Sequence, residues 1–280
     1  MALQDNTGQI HKGAFLVSIS FFLGLALIGV IVRFAIRFRS QKQWFQIDDG
    51  LLILATILLL AALIIMYSKV IDSMYLMAGI QDEIKGVETP TNVVEISEDF
   101  HKWITASLIL SWCSISAVKF FFIALFWRLT DRLRAWKIYW WIVFVVNVVA
   151  IIFGATVYYV SCPYWGAQAM YCSSGRYMNR LVRYSAAQIT LDIIGDLMIL
   201  AIPTGLLWKV RINLTQKLAF MSSLCLTIFL VALSITRCAG LIYRGTVDDV
   251  WEVFWITMSA NLGVFLAAAS AFRSFFASQK

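Results

Sequence analysis

Three polar side chains recur at a spacing of four residues inside one apolar segment of the chain. Gln188, Asp192 and Asp196 belong to a stretch that runs on to Pro203. A four-residue spacing places them on one face of a helix, where they form a polar stripe. Two carboxylates this close can act as general acid and base, share a proton, or bind magnesium. Which chemistry is open to them depends on what surrounds the helix.

The composition indicates that the surroundings are a lipid bilayer. Of the 280 residues, 61% are hydrophobic and 14% are charged, whereas soluble domains are roughly 45–50% apolar and about 25% charged. The net charge of +7 forms no basic stripe, so we expect no nucleic-acid partner. We therefore expect an integral, multi-pass membrane protein in the plasma membrane or an endomembrane, with the lipid bilayer as its main partner.

Seven apolar segments are long enough to cross a bilayer core about 30 Å thick. The sequence thus predicts an all-α, polytopic fold, with residues 1–280 forming a single seven-helix membrane domain and no soluble domain. The predicted spans are about 14–36, 48–68, 104–127, 138–160, 185–208, 217–242 and 251–272.

The loops predict the orientation of these spans. Lys and Arg cluster in loops 37–47, 128–137 and 209–217, whereas the segment 69–102 is acidic. Basic loops face the cytoplasm, so the N-terminus is predicted to lie outside and the C-terminus in the cytoplasm.

Charged side chains inside spans are costly and usually pair within the bundle. From their depths we expect Asp192 near Arg237, and Asp196 near Lys119, whose long stem can reach it. Asp49, at the start of span two, is expected to pair with Lys119 or with basic loops. Such a network is either a polar pocket or proton-linked switch, or an ion-pair lattice that fixes helix packing. The predicted intramembrane network comprises Asp49, Lys119, Gln188, Asp192, Asp196 and Arg237.

Other motifs narrow the chemistry. No Ser-His-Asp set, zinc motif or glycine-rich phosphate loop is present, so we expect no metal and no cofactor. Span seven has no lysine, which argues against a retinal Schiff base. Cys162 and Cys172 fall in one predicted outer loop, where we expect a disulfide rather than two free thiols.

The chain resembles the fungal rhodopsin-like integral membrane proteins, which include pathogenesis-related receptor-like members. The resemblance covers about residues 15 to 276 and includes "IDDGLLILAT", "AVKFFFIALFWRL" and Cys162-Pro163. Its most specific part is "DIIGDLMILAIPTGLLWKVRINLTQKLAF". The family commonly has Asn where Asp192 stands, and usually Glu and Pro where Ser259 and Ser270 stand.

The resemblance implies a receptor-like protein, or one accessory to secondary-metabolite (mycotoxin) biosynthesis, that binds a small apolar ligand. The alternative is a membrane enzyme of such a pathway, a cyclase or isomerase with Asp192 and Asp196 as acid and base. A transporter is favoured least, because neither inverted repeats nor paired broken helices are evident. Coupling to a G protein is open to a seven-helix receptor, but no motif supports it.

Overall fold

A computed structural model describes residues 8–38, 46–81, 90–130, 134–161, 175–209, 228–243 and 246–270 of the chain. Within them the fold is helical apart from one short ladder, in which Ile242–Tyr243 pairs antiparallel with Thr246–Val247. A π-helical turn, Met66–Val70, joins α2 to α3. The helices are α1 (Lys12–Ile36), α2 (Ile47–Ile65), α3 (Ile71–Gln81), α4 (Val93–Thr130), α5 (Arg134–Ser161), α6 (Gly175–Lys209), α7 (Ile228–Ala239) and α8 (Asp249–Ala269).

Six of the described helical segments are long and apolar enough to cross a membrane, with α2 and α3 counting as one continuous rod. The predicted all-α, polytopic membrane fold is therefore confirmed. In the region of predicted span six the described helix is the shorter α7, and residues 210–227 lie outside the described part. The orientation of the termini stays a prediction.

The helices extend further than the apolar runs that predicted them. The predicted outer segment 69–102 is largely helical, because α3 continues to Gln81 and α4 begins at Val93. Hydropathy indicates where contact with lipid ends. The helical hydrogen bonds continue beyond that point through polar residues such as Glu95 and Glu98, because glutamate is a good helix former. The helices that contain predicted spans two and three therefore continue beyond those spans, and the membrane boundaries stay predictions.

Helix α4 is the central element of the bundle and packs against α2, α5, α6 and α8. Small side chains allow its closest approach, to α2: Ser107 donates to the Ala62 carbonyl at 3.2 Å and Ser114 to the Ala55 carbonyl at 2.8 Å. Serines at helix interfaces in membranes combine close packing with a hydrogen bond that lipid cannot supply. The opposite side of α4 is thereby directed towards α5 and α6, where the candidate site lies.

Pro203 lies within α6 and does not end it. The proline has no N–H, so the ladder is interrupted there, and nearby groups supply other hydrogen bonds. The Tyr139 hydroxyl on α5 donates to the Met198 carbonyl at 3.1 Å, and Thr204 donates to the Leu200 carbonyl at 2.7 Å. Helix α6 thus continues beyond the polar stripe while remaining tied to α5.

Candidate intramembrane ion site

Lys119 on α4 lies between the two carboxylates of α6. Its Nζ is 2.6 Å from Asp192 Oδ1 and 2.9 Å from Asp196 Oδ1, and it donates to the Asp192 backbone carbonyl at 2.8 Å. The first two contacts are ion pairs and the third is a hydrogen bond, so the ammonium is attached to α6 through both side chains and backbone. Exposed fractions are 9% for Lys119 and 4% for each aspartate, so the three charges are removed from solvent. We call Lys119, Asp192 and Asp196 the triad.

A glycine allows α5 to approach α6 beside the triad. A Cβ atom added at Gly195 would lie 2.9 Å from Asn147 Oδ1, which is too close, and 3.5 Å from Lys119 Nζ, which is an ordinary contact. Asn147 on α5 is itself buried and anchored, because its amide donates to the Val143 carbonyl at 2.9 Å. Gly195 therefore allows α5 to approach the backbone of α6 between the two aspartates.

A small cavity of about 20 Å³ adjoins the triad. A cavity needs roughly 10–15 Å³ to hold one water molecule, so this one fits about one water and no metabolite. Ser234 on α7 lines it and donates to Asp192 Oδ2 at 3.1 Å. The remaining lining is mostly apolar: Ile115, Val118, Phe122, Ile199, Leu230, Ser259 and Gly263.

Asp192 on α6 and Ser259 on α8 both line this cavity. The cavity thus has a carboxylate from α6 and a hydroxyl from α8 next to Lys119. The resemblance described above implies Asn and Glu at these two positions.

Arg237 pairs with Glu252, whereas the sequence placed it near Asp192. Its Nε donates to Glu252 Oε2 at 2.9 Å, and its Nη2 donates to Oε1, so the pair is bidentate. The depth estimate for Arg237 assumed that span six ends at residue 242, but α7 ends at Ala239. Arg237 consequently lies near the end of α7, level with the first turn of α8.

The end of the bundle next to the N-terminal segment closes around this pair. The loops predict this end to be the outer one, and we call it the outer end. The Trp251 indole donates to the Arg237 carbonyl at 3.2 Å, and a Cβ at Gly240 would overlap its ring. Ahead of α1, Gln9 donates to the Gly240 carbonyl at 3.0 Å and to Asp248 Oδ2 at 3.1 Å. The segment before α1 is therefore tied to the connection between α7 and α8.

Gln188, the third member of the predicted stripe, lies one turn further out than Asp192. It is buried, and its Nε2 is 3.5 Å from the Tyr158 hydroxyl on α5, a long contact. Gln188 therefore belongs to the layer between the triad and the outer ion pair and does not contact the triad.

Asp49 belongs to a separate cluster at the other end of the bundle. Arg33 Nη2 lies 3.0 Å from Asp48 Oδ2 and 3.2 Å from Asp49 Oδ1. Arg37 contacts both aspartates as well. Of the two expected partners of Asp49, the structure thus gives it a residue of the basic loop, Arg37, together with Arg33, and not Lys119. Lys119 contacts the acids of α6 instead.

The same cluster fixes the end of α8. Arg33 Nη1 donates to the Ala267 carbonyl and to Ser270 Oγ, both at 3.1 Å. A guanidinium is favourable there because the last carbonyls of a helix carry partial negative charge. Helices α1, α2 and α8 are thereby linked at this end.

Sequence reasoning missed Glu252 and Arg33, although both lie inside predicted spans. Each is close to a span boundary, where a charged side chain is normally solvated, so its position alone is no reason to expect a buried ion pair. A signal was available for Arg33: it lies four residues before Arg37, on the same helix face, opposite the acids that open the next span. For Glu252 the only signal was its position one residue inside span seven.

The cysteines divide between described and undescribed parts of the chain. Cys162 and Cys172 lie outside the described residues, so the expected disulfide stays a prediction. Among the described residues Cys113 and Cys238 are free thiols.

Comparison with known proteins places the chain in a family. The model of the fungal rhodopsin domain matches residues 32–278, which include every member of the triad and both flanking clusters. Neither the curated proteins nor the solved structures provide a match. The chain belongs to the fungal rhodopsin domain family.

Proposed function

We propose that this protein is a receptor-like membrane protein that binds a small apolar ligand within its helical bundle. The triad is the element that responds to the ligand. The observation that carries the proposal is the buried contact of one ammonium with two carboxylates on a neighbouring helix, next to an apolar-lined cavity. Ionisable groups inside a membrane bundle mark functional sites by default.

Stability alone is a weak reason for such a group. Burying charges costs several kcal/mol per ion, and well-packed apolar residues commonly stabilise a core as well or better. The triad joins α4 to α6, while Ser234 connects it to α7. A change in its contacts would therefore alter how three helices pack, which is the property that a switch requires.

The size of the cavity restricts how a ligand binds. Because about 20 Å³ holds only a water molecule, a ligand must separate the helices around the triad. It would bind a more open conformation and shift the population towards it. The lining favours a ligand with an apolar body and one polar group. The body would pack against residues such as Phe122 and Leu230, and the polar group would reach Lys119 or Ser234.

The alternative, a membrane enzyme that uses Asp192 and Asp196 as acid and base, draws support from their position on one cavity. It is less favoured because both carboxylates face the Lys119 ammonium, and general acid or base catalysis requires a carboxyl directed at substrate. A role accessory to secondary-metabolite biosynthesis is compatible with either proposal, since the ligand or substrate would be a metabolite.

Ligand-dependent thermal stabilisation tests the receptor proposal. The full-length protein in lipid nanodiscs is heated with small apolar compounds that carry one polar group. A ligand at about 100 times its Kd stabilises by about 2.7 kcal/mol, which corresponds to a Tm increase of roughly 5–10 °C. We expect a smaller increase in Asp192→Asn and the full increase in Asp72→Asn, whose acid is exposed and outside the bundle core.

Two results would overturn the proposal. One is the absence of any stabilising compound for the wild-type protein across a broad metabolite and lipid library. The other is a compound that stabilises wild type and Asp192→Asn equally, because the triad would then not take part in binding.

A further inference from the structure

The buried charges of the described residues are compensated in different ways. At the outer end Arg237 pairs with Glu252. The buried Asp248 beside them accepts hydrogen bonds from the Trp251 N–H and from Gln9. At the opposite end two arginines, Arg33 and Arg37, face two aspartates, Asp48 and Asp49. The triad has one ammonium and two carboxylates, which leaves one negative charge if both acids are ionised.

Among the described residues, no second cation contacts the triad. Around the triad, α5 contributes the neutral Asn147 and, further out, the Tyr158 hydroxyl, α7 contributes Ser234, and α8 contributes Ser259. Arg237 on α7 acts on Asp192 only through space, because its bidentate contact is with Glu252. An uncompensated carboxylate in such surroundings takes up a proton in preference to remaining charged.

We infer that the triad is a proton-binding site in which Asp192 and Asp196 together hold one proton. The ammonium already lies between the two carboxylates, at 2.6 Å and 2.9 Å, where a metal cation would have to bind. A proton needs no such space. It comes from the aqueous phase and returns there when the site is emptied, so no other reactant is required.

The geometry assigns the proton mainly to Asp196. Asp192 has the shorter contact with the ammonium and accepts an additional hydrogen bond from Ser234 at 3.1 Å. Asp196 has the longer contact of 2.9 Å with the ammonium, so its carboxylate is the less compensated of the two. Protonation and release at Asp196 would change its attraction to Lys119, and therefore the contact between α4 and α6.

Infrared spectroscopy of the full-length protein in lipid nanodiscs at pH 7 tests the inference without any ligand. The C=O stretch of a protonated carboxyl group is separate from that of a carboxylate, and ¹³C-aspartate labelling assigns it to aspartic acid. We expect the wild-type band to exceed that of Asp192→Asn and that of Asp196→Asn by one aspartic acid, because each variant leaves one acid opposite one ammonium. Lys119→Met should exceed wild type by one further aspartic acid, and Asp72→Asn should match wild type.

A wild-type spectrum without a protonated aspartic acid would overturn the inference, and this result does not depend on whether any variant folds. A band that keeps its full intensity in both Asp→Asn variants would do so as well. So would a wild-type band that is present in choline chloride and lost in sodium chloride, since a sodium ion would then provide the missing charge. This experiment uses no ligand. Its result can therefore refute the proton-binding inference without refuting the receptor proposal, and the ligand experiment can refute the receptor proposal alone.

Discussion

Replacing Glu252 by Gln should strongly destabilise the protein, because it leaves Arg237 buried without its counter-charge. Arg237 is 2% exposed, and its Nε lies 2.9 Å from Glu252 Oε2. With an effective dielectric constant of about 20, the gross attraction across that distance is about 6 kcal/mol, similar to the cost of desolvating an ion. Removing one partner of a buried pair typically costs about 3–5 kcal/mol, and we expect that loss here.

The assay is the free energy of unfolding in mixed lipid–detergent micelles, measured for a double-mutant cycle. The single variants are Glu252→Gln and Arg237→Met. The double variant should recover most of the loss, since an apolar pair avoids the desolvation cost. Glu95→Gln, at an exposed position on α4, is the matched control and should change stability by less than about 0.5 kcal/mol.

The same assay separates the observed pairing from the one that the sequence suggested. In a cycle of Arg237→Met with Asp192→Asn, the coupling should be smaller than that between Arg237 and Glu252, because Arg237 makes its bidentate contact with Glu252. A large coupling with Asp192, together with a negligible coupling with Glu252, would refute the placement of Arg237 at the outer ion pair.

Two further substitutions test the surroundings of the triad. Gly195→Ala should cost about 1–3 kcal/mol of unfolding free energy, since the added Cβ would lie 2.9 Å from Asn147 Oδ1. Adding Asn147→Ala to this variant should restore part of the loss. A Gly195→Ala variant as stable as wild type would contradict the close packing of α5 on α6. Ser234→Ala removes a hydrogen bond to the Asp192 carboxylate and should lower the free energy of unfolding by about 1.5–3 kcal/mol. Thr190→Ala, whose side chain is exposed, is the control. An equal loss in both variants would show that the effect is not specific to the triad.

Most of the fold could be predicted from sequence because its cause is simple. In a bilayer each backbone polar group must be paired within its own segment, so a long apolar run specifies a helix without knowledge of its neighbours. The ends of the helices were harder to predict. Residues of the segment 69–102 are too polar for the lipid core, yet many of them continue the helices on either side.

The candidate site was predictable where a long side chain could be placed by depth alone. Lys119 was expected to reach Asp196, and the structure brings these two residues together. Its contact with Asp192 depends on how α4 packs against α6, which periodicity does not encode. The partner of Arg237 depended on where α7 ends, a boundary that the apolar run placed three residues too late.

The coupling free energy between Lys119 and Asp192 tests most directly whether the triad acts as one unit in the membrane. Wild type, Lys119→Met, Asp192→Asn and the double variant are unfolded under the same micelle conditions. The contact of 2.6 Å predicts a coupling of about 1–3 kcal/mol, with the double variant more stable than Lys119→Met alone. Losses that add within about 0.5 kcal/mol would mean that the two charges do not interact, and the proposed switch would have no basis.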